Sequence, residues 1–182
     1  MMTNKKAQNL VKYAFKPINI TGDVICFDMD GVLAEWGTDG PEPTKMPEYF
    51  TNRPKDMRGI ELLKELDKDG YTIVILSSVY DFGTAARDKI KWLFDDSVGL
   101  GHIRRVFVPY GKAEKREFVQ CTGKKILVDD YSVNLHEWEK DGGIGIKFMN
   151  GFNGNNGTWK KRIISEDMNL EQMKKVVQDA IA

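Results

Sequence analysis

Short runs of near-continuous apolar residues alternate along the chain with stretches whose apolar residues recur at helical spacing. The runs DVICFD (23–28), YTIVILS (71–77), RRVFVP (104–109), KKILVD (124–129) and GIGIKF (143–148) predict strands. Most are continuous in Val, Ile, Leu and Phe rather than alternating, which predicts strands covered on both faces. Between them, MRGIELLKELDKDG sets Ile60, Leu63 and Leu66 on one stripe and stops at Gly70, a residue suited to a helix C-terminus. TAARDKIKWLFDD aligns Ala86, Ile90, Leu93 and Phe94 at helical spacing. AEKREFVQ and SVNLHEWEKDGG predict shorter helices, and DMNLEQMKKVVQDAI stacks Leu170, Met173, Val177 and Ile181 in a last one. Repeated strand–helix alternation predicts a three-layer α/β/α fold, with a mainly parallel sheet of about five strands and right-handed crossovers. Two stretches break the pattern: residues 37–56, rich in Pro and Gly and unable to hold a long helix, and the Gly/Asn loop NGFNGNNGT at 150–158. No internal duplication or linker appears, so a single domain over 1–182 is expected.

Parallel sheets bind ligands at the carboxyl ends of their strands. Asp28 and Asp30, Ser77, and Asp129 with Asp130 all fall at such ends. Paired carboxylates at a strand end are costly unless something cationic binds them. A bound Mg²⁺ would offset the repulsion of Asp28 and Asp30, with Asp129 and Asp130 of VDDYSVN as further oxygen ligands. An aspartate can attack phosphorus to form an aspartyl-phosphate, while a second carboxylate protonates the leaving oxygen and later takes a proton from water. A hydroxyl at Ser77 and an ammonium at Lys115 would hold the phosphoryl oxygens as charge shifts.

Composition narrows the partners. Lys and Arg number 27 against 27 Asp and Glu, a balance that argues against a general polyanion binder, so nucleic acid is not an expected partner. Cys26 and Cys121 are far apart and make no disulfide framework, which fits a reducing cytoplasm. The lysine-bearing N-terminus has no continuous apolar core of a secretory signal, and no run is long enough to span a membrane. His102 and His136 lack metal-ligand neighbours, and DMDG does not continue as a calcium loop. Taken alone, Ser77 and Ser78 read as turn residues and Lys112 and Lys115 as a solvated helix start. Trp36, Tyr49 and Phe50 suit local packing and base stacking equally. TWKKRI (158–163) reads as a solvated edge.

Four stretches in order, DMDGVLA, VILSS, a lysine before a short helix, and ILVDD, resemble the four motifs of the haloacid dehalogenase superfamily of phosphatases, on a Rossmann-like domain. DMDGVLAEW, PEYFTNRP and ILVDDYSVNLHEWEKDGGIGIKF most resemble the 5'(3')-deoxyribonucleotidases and their bacterial and phage relatives; the likeness spans about residues 22 to 150. It implies Asp28 as nucleophile, Asp30 as general acid/base lending Mg²⁺ its carbonyl, Ser77 as the second-motif hydroxyl with Ser78 beside it, and Asp130 as the metal-binding acid. Asp129 is then a ligand or its neighbour. Lys115 suits the third motif, with Lys112 close enough to compete. Deoxyribonucleotidases carry a helical cap between the first two motifs; here about 32–56 forms only a reduced cap or flap. The expected activity is a Mg²⁺-dependent phosphomonoesterase on (deoxy)nucleoside monophosphates, with Trp36 against the base. Another small phosphoester or a nucleic-acid end, and a catalytically silent phosphate- or Mg²⁺-binding module, are the alternatives. A homo-oligomer is left open.

Overall fold

The computed structural model describes residues 2–37, 43–80, 83–153 and 157–182. The middle of the expected flap (38–42) and of the Gly/Asn loop (154–156) therefore lie outside the described residues. The chain runs α1 (Asn4–Ala14), β1 (Ile18–Ile20), β2 (Val24–Phe27), α2 (Met57–Lys68), β3 (Ile73–Val79), α3 (Ala85–Leu93), β4 (Arg104–Pro109), β5 (Val119–Cys121), β6 (Lys125–Asp129), α4 (Ser132–Lys140), β7 (Ile144–Phe148), β8 (Arg162–Ile164) and α5 (Leu170–Ile181). Six strands form one sheet in the order β4-β3-β2-β6-β7-β8, every pair parallel. The fold is α/β, with helices on both faces.

Period-two alternation along β2 explains the layers. Ile25 and Phe27 face a core shared with Leu63, Leu66, Met173 and Val177 of α2 and α5. Val24 and Cys26 face the opposite core, built with Leu135 and Trp138 of α4. A third cluster joins Ala7 and Ala14 of α1 to Ile90 of α3 and Phe107 of β4. All five expected strands form, and Trp92 and Trp138 are buried in the core. Gly70 ends α2 with φ +89°, its N–H donating to the Asp67 carbonyl at 2.9 Å while Tyr71 N–H reaches Leu66 at 3.2 Å.

The structure departs from the pattern in three places. AEKREFVQ is not a helix: one 3₁₀ turn at Lys115–Glu117 gives way to β5, which pairs in parallel with β1. The N-terminal strand that supplies this partner lies about a hundred residues upstream, too far for a local periodicity to register. α1, not among the expected helices, carries Ala7, Leu10, Val11 and Ala14 on one face; only the two alanines are fully buried, with Leu10 and Val11 packed beside them. The sheet's sixth strand, β8, begins within TWKKRI, whose Trp159 is buried while Lys160, Lys161 and Arg162 stay exposed. Residues 43–53 hold two single 3₁₀ turns, Pro43–Lys45 and Phe50–Asn52, and no α-helix.

Candidate active site

β2 is the point where the strand order reverses, with β3 on one side and β6 on the other. Such a junction opens a crevice at the strand ends. The Asp28 N–H still donates to Val128 of β6 at 2.9 Å, after which the chain folds back at once. The Met29 carbonyl accepts from Leu33 and Ala34, and Gly31, at φ +78°, donates its N–H to Ala34. Met29, Val32 and Leu33 are completely buried and anchor the turn. Asp28 and Asp30, two residues apart, are left facing the crevice.

Asp28 Oδ1 accepts from the Met29 N–H at 2.7 Å and lies 2.9 Å from Lys115 Nζ. Lys115 also donates to Asp129 Oδ2 at 2.6 Å. Burial opposes the charge on Lys115, but the carboxylates of Asp129 and Asp28 outweigh it and hold the ammonium protonated well above its usual range. Lys112, by contrast, is exposed on the turn after β4. Asp129 is buried and fully engaged: Tyr131 N–H donates to its Oδ1 at 2.8 Å, and Asn134 Nδ2 to its Oδ2 at 3.0 Å. Among the described residues, no hydrogen bond reaches Asp28 Oδ2.

Asp28, Asp129 and Asp130 each offer a carboxylate oxygen within 4.8 Å of the others. Burial and then the charges of Asp129 and Asp28 push the Asp130 carboxyl up to about 8. Burial, partly countered by Lys115, lifts Asp129 to about 6. Three acids this close have too little positive charge around them, which is what a divalent cation would supply. Two asparagines of the Gly/Asn loop hold Asp130 in place. Asn150 Nδ2 donates to the Gly31 carbonyl at 2.7 Å and to Asp130 Oδ2 at 3.1 Å, and Asn153 Nδ2 to the Asp130 carbonyl at 2.7 Å. In the sequence these residues signal only turn geometry.

Asp30 meets a residue that sequence reasoning passed over. Lys89 of α3 is completely buried and pairs with Asp30 Oδ2, donating also to Ser77 Oγ at 2.9 Å and the Ser78 carbonyl at 3.2 Å. Burial raises the Asp30 carboxyl above its usual range against the pull of Lys89. Its signal was present: Lys89 lies on the stripe of Ala86, Ile90 and Leu93, where a charge is out of place.

A cavity of about 370 Å³ opens over Asp28, Asp30 and Asp130. Trp36, Phe50, Tyr80, Tyr110, Tyr131 and Phe152 form its aromatic walls. Ser78 lines it, whereas Ser77 is fully buried behind it. Tyr49 supports the wall from outside, edge-on to Phe50 at 5.0 Å between centroids.

No family model matches the chain, and no curated protein matches it. Among solved structures, the D,D-heptose 1,7-bisphosphate phosphatase from B. bronchiseptica, complexed with magnesium and phosphate, aligns at a TM-score of 0.60 and 16% identity. The alignment covers 87% of this chain and 99% of that one. The likeness is one of fold. A Pnkp1/Rnl/Hen1 complex aligns at a TM-score of 0.51 and 12% identity over 69% of this chain and 45% of its own.

Proposed function

We propose that the chain is a Mg²⁺-dependent phosphomonoesterase of the haloacid dehalogenase type, acting through an aspartyl-phosphate on Asp28. The observation that carries this reading is the pinning of Asp28 Oδ1 by Met29 and Lys115 beside two further acids at the end of β6. It leaves Oδ2 as the attacking oxygen. The fold shared with a phosphatase that binds magnesium and phosphate supports the same reading.

The acid cluster fits Mg²⁺ held by Asp28, Asp130 and the Asp30 carbonyl, where the ion would neutralise carboxylate and phosphate charge. Asp129, whose oxygens already accept from Lys115, Tyr131 and Asn134, suits the role of orienting Lys115 better than that of a ligand. Asp28 Oδ2 attacks phosphorus in line, and Asp30 gives a proton to the departing oxygen. Lys115, with Ser78 at the end of β3, holds the phosphoryl oxygens, while Ser77, behind the cavity, accepts from Lys89. Asp30 then takes a proton from water, which hydrolyses the Asp28-phosphate.

The substrate class we assign is a (deoxy)nucleoside monophosphate. Support comes from the aromatic walls, Trp36 among them, whose rings can stack on a base. The test is phosphate release with Mg²⁺ from nucleotides, sugar phosphates and phosphorylated DNA ends, alongside an aryl phosphate. Asp28→Asn is expected to lower release by at least about a thousandfold while leaving the circular-dichroism spectrum unchanged. No turnover of any of these by the wild-type protein would favour a silent binding module. A preference for sugar phosphates or DNA ends would overturn the nucleotide assignment alone.

A further inference from the structure

Lys89 is a lysine with no surface. An ammonium has three donors and no acceptor, and here each donor is placed: on Asp30 Oδ2, on Ser77 Oγ and on the Ser78 carbonyl. The face of Phe50 lies 4.5 Å away. Burying a charge is costly unless it is matched. An apolar residue at this position would simply continue the stripe of Ala86, Ile90 and Leu93. The charge therefore answers to its partners, which lie at the ends of β2 and β3 rather than in the helix packing. The neighbouring Asp88 is also buried and accepts the Glu48 N–H at 2.8 Å, so one helical turn grips both the flap segment and Asp30.

We infer that Lys89 is a positioning residue that selects which oxygen of Asp30 exchanges a proton with the leaving group. The inference rests on the phosphomonoesterase reading above. Because Lys89 can only donate, Asp30 Oδ2 and Ser77 Oγ are held as acceptors. With Oδ2 occupied by Lys89, the proton that Asp30 exchanges is carried on Oδ1. As the Asp28 Oδ2–phosphorus bond forms, the bond from phosphorus to the ester oxygen breaks and its electron pair stays on that oxygen. The Oδ1–H bond breaks and its proton passes to the same oxygen.

The experiment compares first-turnover release of the phenol from two aryl phosphates by wild type, Lys89→Met and Lys89→Arg. Dinitrophenolate leaves without a proton; phenol does not. General acid catalysis is typically worth about 10²–10⁴, so Lys89→Met should slow phenol release about a hundredfold and dinitrophenolate release by less than about threefold. Lys89→Arg, which still donates, should recover part of the phenyl phosphate rate. The ratio of the two rates within one preparation does not depend on how much of a variant is folded. Equal losses on both substrates, or no loss on either, would overturn the inference while leaving the phosphatase reading intact. A wild type that releases neither phenol would sink both.

Discussion

At the end of β2, Asp28 presents two oxygens with different surroundings: Oδ1 meets the Met29 N–H and the Lys115 ammonium. Lys115 lies between Asp28 and Asp129 with almost no exposure, so removing its charge strands two buried carboxylates. Breaking a buried pair from one side costs about 3–5 kcal/mol. Lys115→Met should lose about that much stability by urea unfolding and should lose phosphate release. Lys112→Ala, at an exposed position, should stay within about 0.5 kcal/mol and keep its activity. A larger loss at Lys112 would reverse the assignment. The two lysines are three residues apart and read alike in the sequence; what separates them is a 3₁₀ turn. Its Glu114–Glu117 capping box fixes the direction of the turn, and Lys115 is its buried residue. Lys89 was harder to read, because a charge within a helical pattern is normally solvated. Only the enclosing sheet and flap make it a buried donor.

At the scale of elements, the site depends on how closely the turn after β2 approaches its neighbours. A Cβ on Gly31 would lie 2.1 Å from Asp130 Oδ2, and its φ of +78° adds strain for any side chain. Gly31→Ala should therefore cost about 1–3 kcal/mol. It should also displace Asp130, seen as weaker Mg²⁺ binding by titration calorimetry. Glycine at position 31 is thus required twice, by backbone conformation and by the acid it meets. Gly59 of α2 stands equally close, its Cβ position 1.8 Å from the Val32 carbonyl, so α2 braces the same turn. α3 does the corresponding work for the flap. Asp88 accepts the Glu48 N–H, and Trp92 Nε1 donates to the Arg53 carbonyl at 2.9 Å. These contacts link elements about forty residues apart, which no local pattern can announce.

For the whole molecule, the acid cluster links folding to pH and to cations. The carboxyls of Asp129 and Asp130 stand at about 6 and about 8 in the fold against an ordinary 3.8. Folded values raised in this way add stability below about pH 4, and the addition is lost as pH rises through the folded values. Metal-free protein should therefore melt at progressively lower temperature from pH 5 to pH 8. Mg²⁺ should restore more at pH 8 than at pH 5, since binding to deprotonated carboxylates releases protons. Asp130→Asn should flatten the metal-free slope and abolish most of the Mg²⁺ response, both measured by scanning calorimetry. Hydrophobic continuity in DVICFD, YTIVILS and KKILVD sufficed for the parallel sheet, because strands buried on both faces must be apolar throughout. The position of the acids at the ends of those runs sufficed to locate the crevice. The pairing of β1 with β5, the burial of Lys115, and the grip of Asn150 and Asn153 on Asp130 were decided by tertiary structure alone. Each depends on partners brought together from distant parts of the chain, and charge or polarity in a local window cannot say whether such a partner will be there.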